Sequence, residues 1–199
     1  MSTAVVGLEK WVLLSNFLSI EECDHLIKLG YHLIKPSLTL CPETGKEIFV
    51  PGRTSQNTYL TRRQTMVVAR IEQRIAREAG VPVENGEGFQ LLNYQIGQEY
   101  RPHFDYFDPE RPGNDAVLAN GGQRVATCIL YLNTVEDGGE TIFPRLDRSV
   151  KPHQGDAIFF SNTLPNGKPD PLSMHGSSPV IAGEKWVATK WIRQRTFKA

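Results

Sequence analysis

Apolar residues recur at helical spacing in two segments of the first half of the chain, and the first begins at Ser19 and Glu22, the pattern of a helix-capping box. The apolar residues that follow on one face are Ile20, Cys23, Leu26, Ile27 and Ile34. A second pattern starts near residues 61–64 and stops at Gly80. Its apolar positions are Val67, Ile71 and Ile75. Both segments are amphipathic, so we expect two helices, each lying against a flat surface.

From about residue 88 the pattern changes to short apolar runs, rich in β-branched and aromatic residues and separated by Gly, Pro, Asn and Asp. Such runs predict strands, here 89–95, 103–107, 124–132, 141–143, 156–161 and 185–194. Many short strands with turn-rich connections are typical of a sandwich or barrel, with the helices packed on one outer face. We expect an α+β chain that is mainly β, forming one domain over residues 1–199. Its helical support would span about 15–82 and its β core about 88–195.

Two stretches rich in Pro and Gly, residues 35–57 and 108–123, fit neither a helix nor a strand. Structureless loops longer than about 12–15 residues are uncommon in compact domains and are often lids or binding loops. Disorder is the alternative reading, and the sequence pattern alone does not choose between the two.

The charge of the chain excludes some partners. It has 22 Lys and Arg residues against 22 Asp and Glu residues, whereas proteins that bind nucleic acid are usually strongly basic. We therefore expect no nucleic-acid partner. The three cysteines, Cys23, Cys41 and Cys128, are odd in number and widely spaced, which predicts free thiols in a reducing compartment.

The N-terminal residues 1–7 lack the basic and apolar regions of a signal peptide, and no window approaches 18 consecutive apolar residues. These observations predict a soluble, cytoplasmic protein with no membrane partner. A signal peptide that had been removed would reverse this expectation.

His103 and Asp105 are the first candidates for chemistry. If residues 103–107 form a strand, these two side chains emerge on the same face, with Cα atoms roughly 6–7 Å apart, and both can bind one metal ion. The candidates for a third ligand are the remaining histidines, His25, His32, His153 and His175. His25 and His32 fall in or near the first helix and His153 in a turn, so His175 is the better candidate.

Two histidines and one carboxylate on one face of an octahedral ion leave three positions open, which is the arrangement of non-haem Fe(II) oxygenases. A bidentate 2-oxo acid and dioxygen would fill those positions. A His-x-Asp pattern alone often occurs by chance, so a strand with a solvent-facing His and Asp is the alternative.

The order of several segments resembles the 2-oxoglutarate- and Fe(II)-dependent dioxygenases of the prolyl 4-hydroxylase type. His103-Phe104-Asp105 is followed by His175, 70 residues after Asp105, and by Lys185, ten residues later. The other matching segments, in the same order as in the family, are Leu92-Asn93-Tyr94, Gly121-Gly122-Gln123-Arg124-Val125-Ala126-Thr127, Tyr131-Leu132-Asn133, Glu136-Asp137-Gly138-Gly139-Glu140-Thr141, Gly155-Asp156-Ala157 and Trp186-Val187-Ala188-Thr189-Lys190-Trp191-Ile192. The resemblance covers nearly the whole chain.

The resemblance implies a double-stranded β-helix, or jelly roll, with supporting N-terminal helices. It also implies an enzyme like procollagen-proline 4-dioxygenase, which decarboxylates 2-oxoglutarate to succinate while it hydroxylates a C–H bond, with O2 as the oxidant and ascorbate as reductant. By this resemblance the iron ligands are His103, Asp105 and His175. Lys185 would pair with the distal carboxylate of 2-oxoglutarate, helped by the hydroxyl groups of Tyr94 and Thr141.

A physical argument supports the role of Lys185. Two opposite unit charges about 4 Å apart, at an effective dielectric constant near 20, attract by roughly 4 kcal/mol, which is enough to orient a small dianion after desolvation is subtracted. The alternative is an ordinary lysine in a hairpin, because Lys185 follows a turn-like Gly183-Glu184.

Five further residues match family positions that bind the peptide substrate. They are Arg53, Ser55, Tyr100, Arg124 and Trp191. In the family, the segment matched by Arg53 and Ser55 lies on a mobile loop that closes over the substrate. A proline-rich peptide in the polyproline II conformation suits an aromatic groove, because little entropy is lost on docking. The alternative is that these residues are structural: Trp191 in the core, Arg124 capping a strand and Tyr100 as a packing residue.

The sequence departs from the family at Arg193, where plant-type relatives usually have His, and in the short segment 143–150. Both departures favour a bacterial or viral type of enzyme. Two other functions stay open: the same reaction on a free amino acid or small molecule, and a non-catalytic jelly-roll module that binds a metal. Structural zinc is usually closed by four N or S ligands, which argues against the latter. The two long stretches favour a polymeric substrate, and the oligomeric state stays unknown.

Overall fold

The computed structural model describes residues 11–198 of the 199-residue chain. The N-terminal segment in which the sequence predicted no signal peptide lies outside these residues. The helices are α1 (Ile20–Gly30), α2 (Met66–Ala79) and α3 (Asp115–Ala119), with short 3-10 turns at Val83–Asn85, Pro112–Asn114 and Pro171–Ser173. The strands are β1 (Trp11–Leu14), β2 (Lys35–Pro36), β3 (Thr39–Leu40), β4 (Glu47–Ile48), β5 (Gln56–Tyr59), β6 (Gln90–Tyr94), β7 (Tyr100–His103), β8 (Arg124–Tyr131), β9 (Asp137–Gly138), β10 (Thr141–Phe143), β11 (Arg148–Val150), β12 (Ala157–Ser161), β13 (His175–Ser177), β14 (Val180–Ala182) and β15 (Lys185–Arg193).

Helix α1 begins as the sequence predicts. The Ser19 side chain accepts a hydrogen bond from the Glu22 backbone N–H, and the Glu22 carboxylate accepts one from the Ser19 backbone N–H. The helix ends at Gly30, however, so Ile34 lies outside it. The chain turns there because the Leu33 N–H bonds the Gly30 carbonyl and the next residues join the edge of a sheet as β2.

Helix α2 begins at Met66, several residues later than predicted. Thr65 caps it by accepting a hydrogen bond from the Val68 N–H. Residues 61–64 form a separate turn in which Arg63 has a φ of 57°, a left-handed conformation that an α-helix cannot contain. Gly80 ends the helix with a φ of 64°, as its position predicts.

Most of the strands form two antiparallel sheets. The larger sheet has the order β1-β12-β8-β15-β6-β5-β2, and the smaller has the order β11-β10-β13-β7. The inner faces pack together through residues such as Tyr131, Phe143 and Phe160, whereas α1 and α2 cover the outer face of the larger sheet. The prediction of a mainly β chain with helices on one outer face is therefore confirmed.

Strand β15 shows how one segment serves both layers. All nine of its residues are buried, and successive side chains point to opposite faces. Trp186, Ala188 and Ile192 pack into the core on the helical side. The alternate residues line a cavity between the sheets, and they are Lys185, Val187, Thr189, Trp191 and Arg193.

Five predicted strands agree with β6, β8, β10, β12 and β15 to within two residues. The prediction of a strand over 103–107 is wrong, because β7 ends at His103. The two long stretches contain regular structure as well: β2 to β4 and the start of β5 in the first, and α3 in the second. They also contact each other, since the Gly113 N–H donates to the Pro42 carbonyl at 3.0 Å.

The three cysteines are free, with Cys23 and Cys128 buried and Cys41 half-buried.

None of the helices within residues 11–198 has the length and the apolar character needed to span a lipid bilayer.

Candidate active site

Two histidines face each other across neighbouring strands of the smaller sheet. His103 ends β7, His175 begins β13, and the two are paired in the strand register. Asp105 lies just beyond β7, and its carboxylate oxygens are 3.7 Å from His103 Nε2 and 3.4 Å from His175 Nε2. One ligand atom from each of the three side chains lies within 4.8 Å of the other two. The structure thus brings together the three predicted metal ligands.

Hydrogen bonds to the backbone orient both imidazole rings. His103 Nδ1 lies 2.9 Å from the Arg101 carbonyl oxygen, and His175 Nδ1 lies 3.0 Å from the Ser173 carbonyl oxygen. A carbonyl oxygen only accepts, so each Nδ1 carries the hydrogen. Each Nε2 therefore has a free lone pair that faces Asp105, which is the arrangement that metal-binding histidines need.

A hydrogen-bond chain from the larger sheet holds the carboxylate. The Thr127 hydroxyl donates to Asp105 Oδ2 at 2.7 Å, and Asn162 Nδ2 donates to the Thr127 oxygen at 2.8 Å. The chain leaves the smaller sheet after His103, and this anchoring on β8 places Asp105 outside β7. His103 and Asp105 therefore lie close together even though the predicted strand 103–107 ends at His103.

The protonation states of the group suit a cation. Burial, assisted by His175, lowers the pKa of His103 to about 3. Burial alone would raise the pKa of Asp105, but His175, His103 and Arg124 outweigh it, and the pKa lies below its usual value. Metal ions bind neutral imidazole and ionised carboxylate. Two imidazole nitrogens and one carboxylate therefore fit Fe(II) with open positions for other ligands.

Lys185 is a buried cation at the start of β15, with only 2% of its surface exposed. Its Nζ donates to Ser177 Oγ at 2.8 Å, and among residues 11–198 no carboxylate lies within ion-pair distance of it. Burial lowers the pKa of Lys185 to about 7, partly offset by Glu140. A buried ammonium group without a paired anion is costly, so this site fits an anionic ligand.

Tyr94 and Thr141, the predicted helpers of Lys185, also line the cavity. Tyr94 lies opposite Lys185 in the register of β6 and β15, and Lys185 Nζ is 5.2 Å from the centre of its ring. Thr141 Oγ1 accepts a hydrogen bond from Tyr131 at 2.7 Å, which leaves its own hydrogen available for a ligand.

Ser177 is a site residue that the sequence reasoning missed. It lies in the same cavity, opposite Thr141 in the strand register, and it holds Lys185. The signal was present: Ser177 follows His175 by two residues, and residues i and i+2 of a strand share a face.

The cavity between the sheets has a volume of about 650 Å³ and contains the three ligands and Lys185 in its wall. Tyr100 stacks on His103 with ring centres 3.6 Å apart, and the Arg53 guanidinium lies 4.7 Å from the centre of the Tyr100 ring. Both residues line the cavity. Tyr100 therefore packs against a candidate metal ligand and also faces the cavity.

Ser55 was predicted to bind the substrate together with Arg53, but the two residues lie in different surroundings. It is 1% exposed, its hydroxyl lies 3.0 Å from that of Ser37, and it is not among the described residues that line the cavity. A hydrogen bond from Ser55 lowers the pKa of Tyr94, although burial, the larger effect, raises it. A direct contact between Ser55 and a substrate stays a prediction.

Arg124 and Trp191 lie together at another part of the cavity wall. The Arg124 guanidinium is 3.6 Å from the centre of the Trp191 ring, and it forms a bidentate pair with Glu87 at 2.7 and 2.9 Å. Burial lowers the pKa of Arg124, but Glu87 more than reverses this, and the net pKa is raised. Glu87 also lies 3.1 Å from Arg193 Nε, and the sequence reasoning did not identify it.

Arg193, the departure from the plant-type pattern, binds a neighbouring segment. Its two terminal nitrogens donate to the carbonyl oxygens of Gly122 and Val117 at 2.6 and 2.7 Å. The side chain therefore ties the end of β15 to the second long stretch beside the cavity.

Comparisons with known proteins agree with this geometry. The family model of the 2OG-Fe(II) oxygenase superfamily matches residues 89–193. Probable prolyl 4-hydroxylase 6 of Arabidopsis thaliana is 43% identical, and the match covers 93% of this chain and 69% of that protein. Probable prolyl 4-hydroxylase 7 of the same plant is 41% identical, with 94% and 63% covered.

A solved structure, the 2OG complex of the viral collagen prolyl hydroxylase from Paramecium Bursaria Chlorella virus-1, is 30% identical with a TM-score of 0.73. The match covers 93% of this chain and 96% of that one, so the jelly roll expected from the sequence is confirmed. The chain belongs to the 2OG-Fe(II) oxygenase superfamily and, within it, to the prolyl 4-hydroxylases. It spans about two thirds of the length of these plant relatives, and a single domain over residues 1–199 stays a prediction.

Proposed function

We propose that this protein is a 2-oxoglutarate- and Fe(II)-dependent dioxygenase that hydroxylates prolyl residues of peptides or proteins at the 4-position. The observation that carries the proposal is one cavity that holds two histidines and a carboxylate close enough to share a metal ion, together with a buried lysine that has no carboxylate partner among residues 11–198. The first group suits iron, and the lysine suits a carboxylate of the cosubstrate. The names of the plant and viral relatives support the prolyl substrate.

Each residue of the site has a role in this proposal. His103, Asp105 and His175 hold Fe(II), and Lys185 binds the distal carboxylate of 2-oxoglutarate, with hydroxyl groups from Tyr94, Thr141 and Ser177 beside it. Bound iron supplies the activation of O2 that couples hydroxylation of the C–H bond to decarboxylation of 2-oxoglutarate to succinate and CO2. Ascorbate serves as the reductant.

The substrate peptide binds at the cavity walls away from Lys185. Arg124 and Trp191 form one part of this wall, and Arg53 and Tyr100 form another beside His103. Aromatic rings pack well against prolyl rings in a polyproline II peptide, which has few conformations to lose on binding.

The proposal is tested by mass spectrometry of proline-rich peptides, including oligoproline and collagen-like repeats, after incubation with Fe(II), 2-oxoglutarate and ascorbate. We expect a gain of one oxygen atom on proline, identified as 4-hydroxyproline by amino-acid analysis. His175→Ala should abolish the gain, whereas His153→Ala, which changes an exposed histidine outside the cavity, should retain it. Unmodified peptides together with succinate release on a free amino acid would favour the small-molecule reaction instead.

The cytoplasmic location stays a prediction from the free cysteines and the N-terminal sequence. Fractionation of the native cell that expresses the chain tests it directly.

A further inference from the structure

A hydrogen-bonded chain of three side chains lies in the cavity wall apart from the metal ligands. Arg53 Nη2 donates to Gln90 Oε1 at 3.2 Å, and Gln90 Nε2 donates to the Tyr59 hydroxyl oxygen at 2.7 Å. Gln90 is only 2% exposed, whereas Tyr59 is 58% exposed. The chain therefore runs from a buried cation to an aromatic residue on the open side of the cavity.

The direction of these hydrogen bonds follows from the chemistry of Arg53. A guanidinium group only donates, so the carbonyl oxygen of the Gln90 side chain must face Arg53 and its NH2 must face Tyr59. The Tyr59 oxygen is then an acceptor, and its own hydrogen must go elsewhere. Within residues 11–198 no acceptor for that hydrogen is recorded. Tyr59 thus presents an oriented O–H donor at the cavity wall.

A donor at this position matches the chemistry of a proline-rich peptide. Proline has a backbone carbonyl but no N–H, so such a peptide offers its protein partner mainly acceptors. In the polyproline II conformation these carbonyls make no internal hydrogen bonds and are free to accept from a partner. A tyrosine hydroxyl ionises at about pH 10, so Tyr59 keeps its hydrogen at neutral pH.

We propose that Tyr59 binds the substrate peptide by donating a hydrogen bond to a backbone carbonyl, and that Gln90 is the positioning residue that fixes the direction of this bond. This inference rests on the proposed function and adds a recognition element to it. It also gives Arg53 a specific part, because its donor-only group sets the orientation of the Gln90 amide.

The first test is Tyr59→Phe, which removes only the hydroxyl group. Binding of an oligoproline peptide is measured by calorimetry on the enzyme with Fe(II) and 2-oxoglutarate, without dioxygen. We expect the Kd to rise about five- to tenfold, the loss expected for one hydrogen bond, and the KM for the peptide to rise in parallel. The KM for 2-oxoglutarate serves as the internal reference. Tyr31→Phe is the matched control, since Tyr31 is 57% exposed and lies outside the cavity.

The second test is Gln90→Glu, which reverses the hydrogen bond. The introduced carboxylate only accepts, so it would bind both Arg53 and the Tyr59 hydroxyl hydrogen, and the donor would turn away from the peptide. The Kd for the peptide should rise at least as much as with Tyr59→Phe. In the double variant the two effects should not add, because both remove the same donor. Thermal unfolding of each variant checks that the fold is retained.

The outcomes separate this inference from the function on which it rests. Peptide binding by the wild type that Tyr59→Phe leaves unchanged would overturn the role of Tyr59 alone. Additive effects of Tyr59→Phe and Gln90→Glu would overturn the positioning role of Gln90. If the wild-type enzyme neither binds nor hydroxylates any proline-rich peptide, the proposed function fails and the inference fails with it.

Discussion

Lys190 and Glu72 form a buried ion pair of 2.6 Å that joins β15 to α2. Lys185 lies five residues earlier on the same strand, but its side chain points to the opposite face, where its recorded partner is the Ser177 hydroxyl. Both lysines are almost completely buried. The strand thus carries one lysine paired with a carboxylate and one, Lys185, that has no carboxylate within ion-pair distance among residues 11–198.

We expect Lys185→Met to weaken cosubstrate binding without weakening the fold. The change removes the cation that would pair with a carboxylate, and the KM for 2-oxoglutarate should rise more than tenfold. The free energy of unfolding should be unchanged or higher, because a buried ammonium group without an anion is also removed. Steady-state kinetics and urea unfolding measure the two effects. An unchanged KM would contradict the role of Lys185.

Lys190→Met is the matched change, and it should weaken the fold without weakening cosubstrate binding. It leaves the Glu72 carboxylate, which is 1% exposed, with the backbone N–H of Arg63 as its only remaining donor within residues 11–198. Breaking a buried ion pair in this way costs about 3–5 kcal/mol. Urea unfolding should show this loss, whereas the KM for 2-oxoglutarate in the folded fraction should be close to that of the wild type.

A double variant provides the control for Lys190→Met. Glu72→Leu combined with Lys190→Met replaces both charges with apolar groups, and it should recover most of the lost stability. If Lys190→Met alone lowers the free energy of unfolding by less than about 1 kcal/mol, the ion pair does not have the structural role described here.

The Thr127 hydroxyl should increase the affinity for iron. Thr127→Val removes the hydrogen bond to Asp105 and leaves Asn162 without its recorded acceptor. Loss of such an outer partner of a metal ligand typically weakens metal binding 10- to 100-fold. Anaerobic titration with Fe(II) measures the change, and Thr127→Ser, which keeps the hydroxyl, should stay within a few-fold of the wild type. Equal affinities for all three proteins would contradict this role.

The sequence predicts the parts of this site that depend on local periodicity. Alternation along β15 separates Lys185 from Trp186. The His103-x-Asp105 spacing selected two side chains that the structure brings together with His175, even though the predicted strand 103–107 was wrong. That error has a physical cause, because the hydrogen bond from Thr127 draws Asp105 away from β7. Local patterns do not contain such long-range contacts.

The pairs that sequence reasoning missed join distant positions. Glu87 meets Arg124 across 37 residues, and Glu72 meets Lys190 across 118 residues. The polar strand β5 was also missed, because its pairing with β6 rather than its composition makes it a strand.

The lowered pKa of Lys185 predicts how the free energy of unfolding depends on pH. With the pKa near 7 in the folded protein and 10.5 in a free lysine, the unfolded chain binds more protons between these values. The contribution of Lys185 to the free energy of unfolding therefore rises from pH 7 to about 10.5 in the enzyme without cosubstrate.

Binding of 2-oxoglutarate should show the opposite dependence on pH, because the anion requires the protonated form of Lys185. Above pH 7 binding must take up a proton, so the affinity should fall, by up to about tenfold per pH unit. Calorimetry in two buffers with different ionisation enthalpies, at pH 8, measures the proton uptake directly. Lys185→Met should abolish it, and Lys190→Met should retain it because Glu72 is the partner of that lysine. Proton uptake that persists in Lys185→Met would assign the titrating group to another residue.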